Sequence, residues 1–85
     1  MSLQQQFAQA QSDSKALPER PDTLTLLKIY GLYKQASNGD ASGERPGVTN
    51  AVARAKFDAW DDFKGTTQDD AMVQYVALIE ELKEG

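Results

Sequence analysis

The chain is predicted to fold as an all-α, four-helix bundle. Apolar residues recur every three or four positions in four separate stretches, the spacing of one helix face. No stretch alternates with period two, as a half-buried strand would. The breakers fall between the stretches: Pro18 and Pro21, then Gly39, Gly43, Pro46 and Gly47, then Gly65. With 85 residues, one domain is expected over 1–85.

The first helix carries Leu3, Phe7, Ala10, Ser14 and Leu17, a thin apolar stripe. Pro18 and Pro21 close it, because proline lacks an N–H and disfavours helix in the residue before it. The residues between them should be extended. Asp22 is a good N-cap for a second helix holding Leu24, Leu26, Leu27, Ile29, Tyr30, Leu32, Tyr33 and Ala36. That helix is apolar around more than one stripe. It either packs on two sides, or packs on one and lines a groove with another. Asn38 and Gly39 end it, with the glycine taking positive φ.

Residues 37–49 form a long polar loop, whose expected duty is to carry the chain across to the next helix. Thr49 or Asn50 can cap a third helix with Val52, Ala55, Lys56, Ala59, Trp60 and Phe63, which Gly65 stops. Thr66 and Thr67 each stand three residues before an aspartate, a start like a capping box. The fourth helix then shows Met72, Tyr75, Val76, Ile79 and Leu82 on one stripe. Asp69 and Asp70 sit in its first turn and suit the positive end of the helix dipole better than a catalytic role.

Composition narrows the function. The chain has neither cysteine nor histidine, so disulfides, thiolate metal sites and zinc chemistry are not expected. No apolar run reaches the ~20 residues a membrane-spanning helix needs, and the first residues lack the features of a signal peptide. A cytoplasmic protein without membrane insertion is expected. The net charge of −4 argues against a nucleic-acid binder. The charge is uneven: residues 15–56 hold seven cations against four acids, and residues 57–85 two cations against eight acids. A locally basic middle can still bind a compact polyanion.

Tyr30, Tyr33 and Lys34 fall at i, i+3 and i+4 and share one helical face. Two phenol rings and an ammonium on one face can stack on a nucleotide base and grip a phosphate. The segment from Ala55 to Trp60 puts another cation, Lys56, beside aromatics. Read more plainly, Tyr30 and Tyr33 are packing tyrosines and Lys56 is a surface lysine. Trp60 reads as core, as do Phe7, Phe63, Met72, Val76 and Ile79. Tyr75 lies on the packing stripe and can serve core or ligand.

The run IYGLYKQASNGD, then ERPG, then AKFDAWDDFKGTTQDDAMVQYV closely resembles the acyl-CoA-binding protein family, also called the diazepam-binding inhibitor family. The resemblance extends from about Phe7 to about Leu82. It implies an up-down-down-up bundle with the long loop as overhand connection. It also implies a ligand site built from Lys15, Tyr30, Tyr33, Lys34, Lys56 and Tyr75, with Leu26 and Leu27 lining the groove. In that site Lys34, Lys56 and the Tyr30 hydroxyl hold the 3′-phosphate of CoA, Tyr33 takes the adenine, and Tyr75 lies near the thioester. Ala51, Arg54 and Phe57 stand where the family often has an aromatic, a lysine and a tryptophan.

The expected function is therefore non-enzymatic: a monomeric carrier that binds medium- to long-chain acyl-CoA one to one, pools it and passes it to acyl-CoA-using enzymes. No catalytic residues, metal or cofactor are expected, and acyl-CoA is the ligand. A helical protein–protein interaction module is the alternative. An enzyme, such as a thioesterase fragment, would have only carboxylates and lysines to act as base.

Overall fold

The computed structural model describes residues 1–84; Gly85, the last residue of the domain expected over 1–85, lies outside the described residues. Four helices form: α1 (Leu3–Ser14), α2 (Thr23–Asn38), α3 (Ala51–Asp61) and α4 (Gln68–Lys83), with no strand among the described residues. Each start has a local cause. The Ser2 hydroxyl accepts from the Gln5 N–H at 3.1 Å while Gln5 Oε1 accepts from the Ser2 N–H at 2.9 Å, a capping box that sequence inspection passed over. Asp22 Oδ1 accepts from the Thr25 N–H at 2.8 Å, and the Thr67 hydroxyl from the Asp70 N–H at 3.1 Å. Asn50 stands at the N-cap of α3 as expected, but its side chain makes no capping bond.

Helix ends depart a little from expectation. α1 stops at Ser14 rather than reaching Leu17; two tight turns follow, with Lys15 N–H to Ser12 O at 3.2 Å and Ala16 N–H to Asp13 O at 3.0 Å. Leu17 still packs against the core from outside the helix. Gly39 ends α2 with φ of 82° and donates its N–H to Gln35 O.

The direction of each helix can be read from side-chain partners. Phe7 meets Tyr75 and Asp13 meets Lys83, so α1 and α4 run parallel. Gln68 Nε2 donates to Ala36 O near the start of α4 and the end of α2, so these two are antiparallel. Lys56 meets Tyr30 and Trp60 meets Lys34, so α2 and α3 are parallel. The result is the up-down-down-up order. Parallel neighbours require residues 39–50 to run back along most of a helix length, roughly 20 Å at 1.5 Å per residue.

Packing places α4 between α1 and α2, with α3 against α2 alone among the helices. The core is Phe7, Ala10, Leu32, Ala36, Ala71, Tyr75 and Ile79. Phe63, Met72 and Val76, also expected in the core, are half-buried against it. Trp60 is not in the core. It lies half-buried on α3, and its indole N–H donates to Gly39 O at 2.7 Å. An indole needs a partner for its N–H, and the returning loop supplies one.

That loop is fastened at further points. Asp40 Oδ1 accepts from the side chain of buried Gln35 at 2.8 Å and from the Gly65 N–H at 2.9 Å. Arg45 forms a two-point bridge to Asp58, both contacts at 2.7 Å.

These bonds give the acid response a sign. The Gly65 N–H and then Gln35 hold the Asp40 carboxyl below its ordinary range, Arg45 does the same for Asp58, the Thr25 N–H for Asp22, and Gln9 and then Lys83 for Asp13. A carboxyl depressed by folding stabilises the fold above its unfolded pKa, about 4, and that contribution is lost as pH falls through the lower folded value. The chain has no histidine, the side chain whose ordinary charge change falls between about pH 5 and 8. The thermal midpoint should therefore be flat across that range and fall below about pH 4. Asp40→Asn should make the fall shallower; an unchanged acid slope would remove Asp40 from the account.

Candidate functional site: the exposed stripe of α2 and its flanks

α2 packs on two sides and still has a stripe to spare. Leu32 and Ala36 enter the core, and Gly31 meets Ala59 of α3. Leu26, Tyr30 and Tyr33 follow at i, i+4 and i+7, so they line a third side. Of the two alternatives for this helix, the packed one holds: α2 lies against both α4 and α3.

On the α3 side of that stripe two lysines cross the α2–α3 seam in opposite senses. Lys34 of α2 puts its ammonium 4.8 Å from the centroid of the Trp60 ring on α3. Lys56 of α3 puts its own 5.5 Å from the centroid of Tyr30 on α2. Both are cation–π distances. Among the described residues, neither lysine has a carboxylate partner: the ion pairs are Arg45–Asp58, Lys83–Asp13 and Lys83–Glu80. Two ammoniums thus rest on aromatic faces with their charge uncompensated. An anion arriving there need not displace a carboxylate.

On the α1 side of the stripe stands Tyr33, 38% exposed. One of its faces is taken: it stacks on Phe7 of α1 with centroids 6.2 Å apart and planes at 29°. Phe7 in turn meets Tyr75 edge-on at 5.1 Å. α1 and α2 both lie against α4, and these rings bridge the space between them. Tyr75 is only 3% exposed, and burial pushes its phenol above the ordinary value, with Ser14 and Tyr33 close by. It is chiefly a core residue, with Ser14 of α1 and Tyr33 of α2 beside its hydroxyl.

Toward the start of the stripe, Lys15 follows the last turn of α1 and is exposed. With Leu17, Arg20 and Leu26 it borders an open depression of about 290 Å³. Arg20 is a cation at this end that motif reading missed; the only hint was its place in the basic middle of the chain. Leu27 does not join Leu26. Adjacent helical residues point 100° apart, and Leu27 lies with Leu24, Lys28, Ala59 and Phe63 in a separate groove of about 480 Å³ between α2 and α3. Lys28 and Asp58 of that groove are two residues from Tyr30 and Lys56, a turn of about 200°, whereas Leu27 is one helical turn from Tyr30 and close to its face.

The α2 face thus has Leu26 and outer cations toward its start, Tyr33 stacked on the α1 side, and two ammoniums without a described carboxylate partner on the α3 side. The family model described as Acyl CoA binding protein matches residues 4–79. The chain belongs to this family. Acyl-CoA-binding protein 2 of Saccharomyces pastorianus is 42% identical over 80 residues, covering 94% of this chain and 92% of that protein. The Acyl-CoA-binding protein homolog of Manduca sexta is 46% identical over 83 residues, covering 96% and 92%. Among solved structures, the Oryza sativa Acyl-CoA-Binding Protein 2 crystal structure superposes with a TM-score of 0.92 at 36% identity, covering 96% of this chain and 89% of the other. The fold of the family and its overhand loop are therefore those of this chain. No helix among the described residues is long and apolar enough to cross a membrane.

Proposed function

We propose that this member of the family binds medium- to long-chain acyl-CoA thioesters one to one along the exposed stripe of α2. Lys34 and Lys56, with the Tyr30 hydroxyl, hold the 3′-phosphate, and the open face of Tyr33 takes the adenine. The acyl chain lies toward the α1–α2 cleft, near the Tyr75 hydroxyl, with Leu26 and Lys15 at its border. Leu27, one turn before Tyr30, lines the groove between α2 and α3 and offers apolar surface to the ligand. The observation that carries this reading is the pair of ammoniums resting on aromatic faces with no carboxylate partner. Base–aromatic stacking contributes about 1–3 kcal/mol, and each buried methylene about 0.8 kcal/mol before costs. The acyl chain therefore dominates affinity, and the nucleotide end fixes orientation and rejects free fatty acid.

The protein's role on this reading is that of a cytoplasmic, monomeric carrier. It keeps thioesters from membranes and hydrolysis and delivers them to enzymes without chemistry of its own. Titration calorimetry tests the reading with a long-chain acyl-CoA, free CoA and the matching fatty acid. One-to-one binding of the ester, with both controls far weaker, is expected. An ester that binds no better than the fatty acid would overturn it and leave the α2 stripe as a surface for a partner helix.

A further inference from the structure

Trp60 is held at two points, neither of them in the hydrophobic core. Its N–H is held by Gly39 O at 2.7 Å, and Phe57 meets it edge-on with centroids 6.2 Å apart. Gly39 is itself held, since it caps α2 through its own N–H to Gln35 O at 2.9 Å. These contacts set the orientation of the indole plane, and its face carries the Lys34 ammonium at 4.8 Å. A free lysine side chain has wide rotamer freedom, which a ligand must remove on binding. A ring fixed at its edge and free on its face removes part of that freedom beforehand.

We propose that Trp60 is a positioning residue for Lys34, and through it a determinant of selectivity for the 3′-phosphate of CoA. The proposal rests on the reading that Lys34 holds that phosphate. Trp60 touches the ammonium and not the ligand. The overhand loop thereby acquires a second duty: its first residue sets the orientation of the indole and, through the indole, the place of the cation.

The test measures the affinity of one long-chain acyl-CoA and of its 3′-dephospho counterpart, by calorimetry, for the wild type, Trp60→Leu and Trp60→Phe. The ratio of the two affinities is the readout, because a merely structural role would lower both together. The wild type is expected to prefer the phosphorylated ester. Trp60→Leu, which removes the ring, should cut that preference about three- to tenfold while leaving the dephospho ester within about twofold of its wild-type affinity. Trp60→Phe keeps a ring face and should retain more of the preference than leucine does. An unchanged ratio in Trp60→Leu overturns the proposal while leaving the phosphate site intact. A wild type indifferent to the phosphate overturns the Lys34 reading and the proposal with it. Should the leucine variant fail to fold, Trp60→Phe is combined with Lys34→Ala: strictly additive effects on the ratio overturn the proposal, and coupled effects support it.

Discussion

Replacing Lys34 or Lys56 by alanine is expected to weaken acyl-CoA binding about 10- to 100-fold each, with fatty-acid binding nearly untouched. A hydrogen bond to a charged group is worth roughly 1.5–3 kcal/mol, and each factor of ten is about 1.4 kcal/mol. Among the described residues neither lysine forms an ion pair, so removing its ammonium should cost little in stability. The lost interaction should appear almost wholly in binding of the phosphorylated end. The measurement is calorimetry on both ligands for both variants, with helix content checked by circular dichroism. Equal losses for ester and fatty acid would show that the lysines act on the chain end or on the fold, and the phosphate assignment would be lost.

Gly31→Ala is expected to lower stability, although alanine is the better helix former. A Cβ at this position would meet the carbonyl oxygen of Ala59, and would lie 2.8 Å from its carbon and 2.9 Å from Phe63 Cε2. Propensity favours alanine by up to about 1 kcal/mol, and overpacking costs about 1–3 kcal/mol. The clash should win. Two of the three obstructing atoms are backbone, which cannot rotate aside without moving α3. Each net kcal/mol lost should lower the thermal midpoint by roughly 4–8 °C in a domain of this size. A midpoint that rises would show that α3 can shift freely. Movement of α3 would also part Lys56 from Tyr30 and Lys34 from Trp60, so ester affinity should fall with stability.

What the sequence could reveal depended on the range of the forces involved. Asp22, Gly39 and Thr67 were legible because a cap is decided within three or four residues. The Ser2–Gln5 box has the same local signature, but the glutamine-rich start of α1 masks it. The parallel course of α2 and α3 is not a matter of period, since the same stripes serve either direction; the family resemblance supplied it. Trp60 was read as core because size and apolarity suggest burial, whereas its position is set by a carbonyl 21 residues away. The Tyr30, Tyr33 and Lys34 face was visible from spacing alone. That Lys34 and Lys56 would each rest on the other helix's ring required the register between helices, which no single segment encodes.

α3 alone of the four helices has no fully buried residue, so it has the least core burial to lose on detaching. Half of the proposed phosphate grip is carried on it. A ligand held by Lys34 and Lys56 together would act as a brace across that seam, and its binding energy would appear as resistance of α3 to local opening. Amide exchange in α3 would then slow with ligand concentration more than in α4, whose protection already comes from the core. Occupancy and local rigidity would be two readings of one equilibrium: an empty carrier with a loosely attached arm, and a loaded one that is closed.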